Sequence, residues 1–463
     1  MTEELRSCWA KLSDADRETV FALAEDYKAF LNEGRTERLA VRVAEREARA
    51  RGFTPLGERE TLSPGDRIYA VNRGKAMILA VIGNASLEQG LNIVGAHVDS
   101  PRLDLKPEPL YQDEELALFK THYYGGIRKY HWFGIPLILV GTVVRADGGV
   151  LHLGVGDRPG EPVFTVTDLL PHLAGDQREK KLEEAFPGEN LNILAGSIPA
   201  RDEGGKPERA VKQAVLAHLQ QAYGIGEEDF VSAELQAVPA WPAADVGFDR
   251  GLVGGYGQDD RSCAFAALRA VLEAERPART AVVLLADKEE IGSMGNTGMH
   301  SRFLENTLAE IMARSGTPYN GLTLRRMLAG SRALSADVNA GLDPTYPEVM
   351  DKRNAARIGG GVCLTRYTGS RGKAGGSEAN AEFVSAIRAL FKAHNVCWQT
   401  GELGKVDQGG GGTIAYLLAM YGMDVLDCGP PLLGMHSPFE VMSKADLYAS
   451  YRGYKVFLEA SWA

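Results

Sequence analysis

Cysteine is scarce. Cys8, Cys263, Cys363, Cys397 and Cys428 are the five in a chain of 463 residues, and no two form a C-x-x-C pair. An odd, scattered set argues against a disulfide framework or a thiolate zinc site and favours a reducing compartment. The opening stretch MTEELRSCWAKLSDADRE has no apolar core of the kind a secretory signal carries. Long hydrophobic runs are missing as well. The most apolar segment, from Phe133 to Val144, contains Gly and Pro, and it falls short of the ~18 residues a membrane helix needs. Basic tracts are absent and the formal net charge is −10, which makes nucleic acid and anionic membranes poor partners. No repeat or low-complexity tract interrupts the pattern. The expected setting is cytoplasmic, without membrane or nucleic-acid partners.

What is present is ordinary globular usage, with 44% hydrophobic and 24% charged residues. The length suits roughly two to four folding units. Ser13 reads as the N-cap of a helix over Asp14–Asn32, and Thr36–Arg51 as a second helix. RIYAVNRGKAMILAVIG predicts two strands around Arg73-Gly74, and LNIVGA a strand ending at His97. Residues 107–248 are rich in β-branched and aromatic residues with Gly turns, which predicts a mostly antiparallel unit. From Arg261 onward α and β alternate: helices over 262–274, 303–313, 381–394, 412–421 and 444–459, strands over 280–286 and 424–427. Alternation of this kind implies an α/β fold, a mostly parallel sheet with helices on both faces. The expected division is a catalytic domain over 1–106 and 249–463, interrupted by a β-rich insertion at 107–248.

Five polar clusters fall where predicted strands end: His97-Val98-Asp99, Asp259-Asp260, Glu289-Glu290, Asp337 and His436. Ligands of open α/β sheets bind at such ends. In AVVLLADKEEIGS, six apolar residues run into two adjacent carboxylates. Neighbouring side chains in an extended or turning segment point to different sides. One glutamate can therefore bind a cation while the other faces a water on it. His97 and Asp99 have the spacing of a ligating imidazole whose other ring nitrogen donates to a carboxylate. Singly, each cluster has a plainer reading: a solvated strand end, a surface pair, an Asp helix cap, a loop carboxylate, a core histidine. His122, His131, His152, His218, His300 and His394 lack comparable context and read as structural.

Together the clusters offer two imidazoles and three carboxylates without a thiolate, a donor set suited to zinc, cobalt or manganese. If Asp259 bridges two divalent ions, three carboxylates and a hydroxide balance their charge. Bound metal lowers the pKa of water to ~7, and Glu289 would carry the proton to the leaving amine.

The stretches GAHVDSPRLDLKP, GYGQDDRSCAFAAL, DKEEIGS, SADVNA and GMHSPFE, in this order, resemble the aspartyl aminopeptidase family of dinuclear zinc exopeptidases. The resemblance covers essentially the whole chain. It implies that His97 and Asp337 bind one metal, Glu290 and His436 the other, with Asp259 between them. It makes Glu289 the base and Asp99 the carboxylate that orients His97, and it implies a cis bond at Asp259–Asp260. It implies that the insertion drives dimerisation, and that dimers assemble into a tetrahedral dodecamer closed to folded proteins but open to peptides. LLPHLAGD matches the context of a family histidine that reaches into a neighbour's site, which makes His172 the candidate; an ordinary surface histidine is the alternative.

The family is named for releasing Asp and Glu. In TGSRGKAGGSEAN, Arg371 and Lys373 are the candidate acid readers, although an aromatic of animal members is replaced by Gly. Asp407 and the glycines 409–412 precede the predicted helix over 412–421, whose N-terminus could line the substrate pocket; a structural glycine turn is the alternative. Rival readings are a related aminopeptidase of neutral or basic preference, a catalytically silent scaffold, and a two-metal phosphoesterase.

Overall fold

The computed structural model describes residues 7–201 and 208–462. The first six residues of the N-terminal stretch lie outside them. Two compact units emerge: residues 1–100, 242–435 and 439–463 form the first, and residues 101–241 with 436–438 the second.

The first unit is built on a nine-stranded sheet. Its middle strands, Ala281–Ala286, Asn92–His97, Arg332–Ser335 and Asp424–Gly429, run parallel in that order. The strands Arg67–Asn72 and Ala76–Val81 are antiparallel neighbours at one side. Both faces are covered, as continuous apolar strands require. Val283 and Leu285 point into one buried cluster with the helices Asp14–Glu33, Glu37–Ala50, Gln258–Glu273 and Lys444–Glu459. Val282 and Leu284 point into the other, with Phe303–Arg314 and Gly321–Ala329. The period of two along one strand thus feeds two cores. Ser13 caps its helix reciprocally with Asp16, its hydroxyl donating to the carboxylate at 2.6 Å.

The second unit centres on a six-stranded antiparallel sheet in which Ala233–Pro239 pairs with both Arg102–Asp113 and Leu137–Val144. Among the described residues no helix is long and apolar enough to cross a membrane.

Two expectations need correction. Cys8 and Cys397 form a disulfide, with Cα atoms 6.1 Å apart across a sequence separation of 389. Counting and spacing could not find it, because only the tertiary fold brings these positions together. The pairing also removes the support that cysteine usage lent to a reducing compartment. The helix expected at 412–421 shrinks to Ala415–Ala419. The glycines before it serve backbone packing instead: Gly410–Gly411 pairs with Gly369–Ser370, and a Cβ at Gly409 would overlap the Leu403 carbonyl. A helix this short offers no strong N-terminal dipole.

One glycine does position the candidate site. Gly257 has φ +70° and is followed by Gln258–Glu273, and a Cβ there would land on the guanidinium of Arg261. That fully buried arginine donates to the carbonyls of Gly257 at 2.8 Å and Gly34 at 2.6 Å. Gly257→Ala is expected to destabilise the protein by at least ~1 kcal/mol, since it adds a left-handed side chain as well as a clash. Chemical denaturation of the full chain measures it; an unchanged midpoint would refute this role.

Candidate metal centre

The strand Asn92–His97 delivers His97 to its C-terminal end, and Ala281–Ala286 delivers the acidic turn beside it. After Ala286, Lys288 takes φ +67° and Gly292 φ +87°, folding Glu289–Ile291 into a tight turn. That turn aims two backbone N–H groups at one buried side chain. Glu289 N donates to Asp99 Oδ1 at 3.1 Å, and Glu290 N to Asp99 Oδ2 at 3.2 Å. Asp99 also faces His97, whose Nδ1 lies 3.2 Å from its Oδ1 and 3.0 Å from its backbone oxygen. With Nδ1 donating there, Nε2 is turned to the other side, 3.3 Å from Asp259 Oδ1 and 3.9 Å from Glu289 Oε2.

The kinked start of the helix Gln258–Glu273, non-helical at Asp259 and Asp260, is pinned from behind. Glu440 accepts from Gln258 N at 2.5 Å and Asp259 N at 3.3 Å, and Ser100 Oγ donates to the Asp259 carbonyl at 2.7 Å. The Asp259–Asp260 peptide is cis.

Two donor groups result. His97, Asp259 and Glu290 offer atoms within 4.8 Å of one another, and so do His97, Asp260 and Asp337. His97, Asp259 and Asp260 are buried, Glu290 and Asp337 half-buried. Burial pushes the carboxyls of Asp260 and Asp337 well above their usual range, and neighbouring aspartates push them the same way. Burial alone would lower His97, but its contacts with Asp259 and Asp99 outweigh that and hold it well above the usual histidine range. Asp260 Oδ1 is buried without a hydrogen-bond partner among the described residues. Crowded buried carboxylates with an unmatched oxygen are costly unless a cation compensates them. Oxygen and imidazole donors without a thiolate suit zinc. The residues therefore fit a metal ion.

Asp260 is the residue that sequence reasoning passed over. The pair Asp259-Asp260 points to Asp259 as the ligand, with a turn or helix cap as its plainer reading, and only the fold brings the Asp260 carboxylate beside His97 and Asp337. The remaining candidates are not members of these two donor groups. His436, with φ +66°, belongs to the second unit, where its Nδ1 sits 2.8 Å from the Gly126 oxygen. His172 lies in an exposed turn of that unit. Arg371, Lys373 and Asp407 are exposed on loops of the first unit that flank the paired strands Gly369–Ser370 and Gly410–Gly411. Lys373 is already engaged, 3.0 Å from Glu378 Oε1 and 3.9 Å from the centre of the Tyr367 ring.

A carboxylate–imidazole cluster at the strand ends of a helix-covered α/β sheet is the donor arrangement of a metal-dependent hydrolase. Comparison with known proteins narrows this class. A model of the family described as aminopeptidase I zinc metalloprotease (M18) matches residues 30–458. A probable M18 family aminopeptidase 1 from Clostridium acetobutylicum is 50% identical over 462 residues, covering 99% of each chain. The crystal structure of an M18 family aminopeptidase from Thermotoga maritima superposes with a TM-score of 0.95 at 47% identity, covering 99% of this chain and 100% of that one. The crystal structure of aminopeptidase I from C. acetobutylicum gives 0.92 at 48% identity, with the same coverage. The chain belongs to the M18 family of zinc metallo-aminopeptidases.

Because Asp99 serves the imidazole and the acidic turn at once, Asp99→Asn should lose more than a charge. Its amide N–H groups would face the N–H of Glu289 or Glu290. Activity or zinc affinity is expected to fall about 10–100-fold, with the circular dichroism spectrum retained. Wild-type zinc affinity and turnover in that variant would contradict the assignment.

Proposed function

We propose that the chain is a two-metal aminopeptidase that removes single residues from the N-termini of peptides. The observation that carries this reading is the unequal placement of two adjacent glutamates. Glu290 shares a donor group with His97 and Asp259. Glu289 stands beside that group, with Oε2 3.9 Å from His97 Nε2. A ligand and a base side by side is what metal-assisted hydrolysis needs.

In this reading His97, Asp337 and Asp260 would hold one ion and Glu290 the other, with Asp259 shared between them. His436 is the further donor that the family resemblance supplies. Zinc, or cobalt or manganese in its place, polarises the scissile carbonyl and acidifies a water when bound. Glu289, standing beside the donor group, would accept a proton from the attacking water and return it to the leaving amine. Asp99 keeps His97 in the tautomer that leaves Nε2 free for a metal. His172, reaching in from a neighbouring copy, would donate to the developing oxyanion. Exposure of Leu169, Leu170 and Leu173 around it, at 53%, 50% and 68%, supports a turn that another subunit covers. The second unit would then drive dimerisation, and dimers would build the dodecamer of the resemblance, in the cytoplasm. For an acidic N-terminal residue Arg371 is the reader, since Lys373 is committed to Glu378. Neutral or basic preference is the alternative.

Glu289→Gln keeps the shape and removes the proton acceptor. Turnover is expected to fall about 10²–10⁴-fold while zinc per chain stays at the wild-type value. Full activity would sink the base assignment, and loss of zinc would make Glu289 a ligand. A panel of Asp, Glu, Leu, Met and Lys aminoacyl substrates reads specificity. Chelator-sensitive release of Asp and Glu, lost in Arg371→Ala, is the acidic outcome; release of Leu, Met or Lys alone discards the acid reader.

A further inference from the structure

A second feature of the first unit has no part in this chemistry. A cavity of about 810 Å³ opens between the N-terminal segment, the helix Ala381–Ala393 and the helix Lys444–Glu459. That volume lies in the range of small-molecule sites. Its lining holds four cations, Lys11, Arg388, Lys392 and Arg452, against the single carboxylate of Asp16. In a chain with a formal net charge of −10, such local excess of positive charge runs against the composition.

Arg388 lies over the Trp398 ring at 5.7 Å and Arg452 over the Tyr448 ring at 5.9 Å, contacts that hold the guanidinium groups at the lining without neutralising them. Among the described residues, none of the four has a carboxylate within ion-pair reach. Arg388 and Lys392 stand four apart on one helix, an arrangement that is mildly destabilising for like charges. Arg452 donates to the Tyr448 hydroxyl at 3.3 Å and to the His394 carbonyl at 3.1 Å. Both hydrogen-bond partners are neutral, and the one opposing charge that Arg452 meets is the Asp16 carboxylate, which it helps keep ionised. Asp16 is occupied by its cap, accepting from Ser13 Oγ at 2.6 Å and Ser13 N at 3.3 Å. The Cys8–Cys397 disulfide also lines the cavity. It ties the segment carrying Lys11 to Cys397, a few residues beyond the helix that carries Arg388 and Lys392.

We propose that this cavity binds a small oligoanion, a molecule carrying two or three closely spaced oxyanion charges of the polyphosphate or polycarboxylate kind. Guanidinium groups suit such oxygens through paired N–H donors, and lysines add point charge. The site is separate from the residues proposed for catalysis, and its occupancy does not depend on the peptidase reading.

Titration calorimetry on the full zinc-loaded chain without reductant tests this. Tripolyphosphate and citrate are the probes, which separate the two sources of charge. One site per chain is expected for at least one probe at or below ~1 mM, with affinity falling as salt is raised. Arg388→Glu/Lys392→Glu should weaken it at least about tenfold. Arg388→Gln/Lys392→Gln should weaken it in the same direction and serves if the reversed pair fails to fold. Unchanged peptide hydrolysis without probe certifies the fold of each variant. Absence of binding by both probes overturns the proposal. So does equal binding by the charge variants, which would mean that the anion sits elsewhere, for instance on the catalytic zinc.

Discussion

The carboxylate of Asp99 is the constraint on which the candidate centre depends. It is fully buried, and three groups converge on it: His97 Nδ1 and the backbone N–H groups of Glu289 and Glu290. A charge in that position is tolerated only because these donors meet it. The same contacts fix two parallel strands' ends relative to each other. His97 comes from one strand and the acidic turn from its neighbour, registered so that Ala286 lies opposite His97. Imidazole orientation and glutamate placement are therefore one structural decision.

The electrostatics of the centre follow from what surrounds it. His97 faces Asp259 through Nε2, with Asp260 and Asp337 in the adjoining group. Of the two cations adjoining the centre in sequence, Arg261 is turned onto the carbonyls of Gly34, Tyr256 and Gly257, and Lys288 lies 3.5 Å from Asp287 Oδ2. Excess buried negative charge must then be neutralised by protons or by metal ions. Membership in a zinc metallo-aminopeptidase family makes zinc the natural counter-charge. Glu440 and Ser100 hold the Asp259 backbone from outside the donor set, and second-layer contacts of that kind commonly tune metal sites.

Much of this was legible in the sequence. Six apolar residues running into Glu289-Glu290 mark a buried strand with a polar end, and a strand ending at His97 places its partner. The alternation that filled two cores was visible as continuous apolar runs. Other features were not legible because they depend on contacts distant in sequence. The short strands Leu252–Gly255, Pro431–Leu433 and Glu440–Ser443 belong to a separate five-stranded sheet and carry almost no periodic signal. The glycines at 409–412 resemble a loop before a helix, whereas Gly409 and Gly410 are places of close backbone approach. Asp260 was hidden by its neighbour, since a doubled acid does not say which of its members faces the site. Cys8 and Cys397 could not be paired from spacing.

The central claim is that this cluster holds two metal ions around Asp259. Anomalous diffraction at the zinc edge from zinc-loaded crystals tests it most directly. The account predicts two peaks roughly 3.5–4 Å apart, one against Glu290 and one against Asp337, with Asp259 between them and Glu289 bound to neither. A single peak, or peaks that Asp259 does not touch, would contradict it.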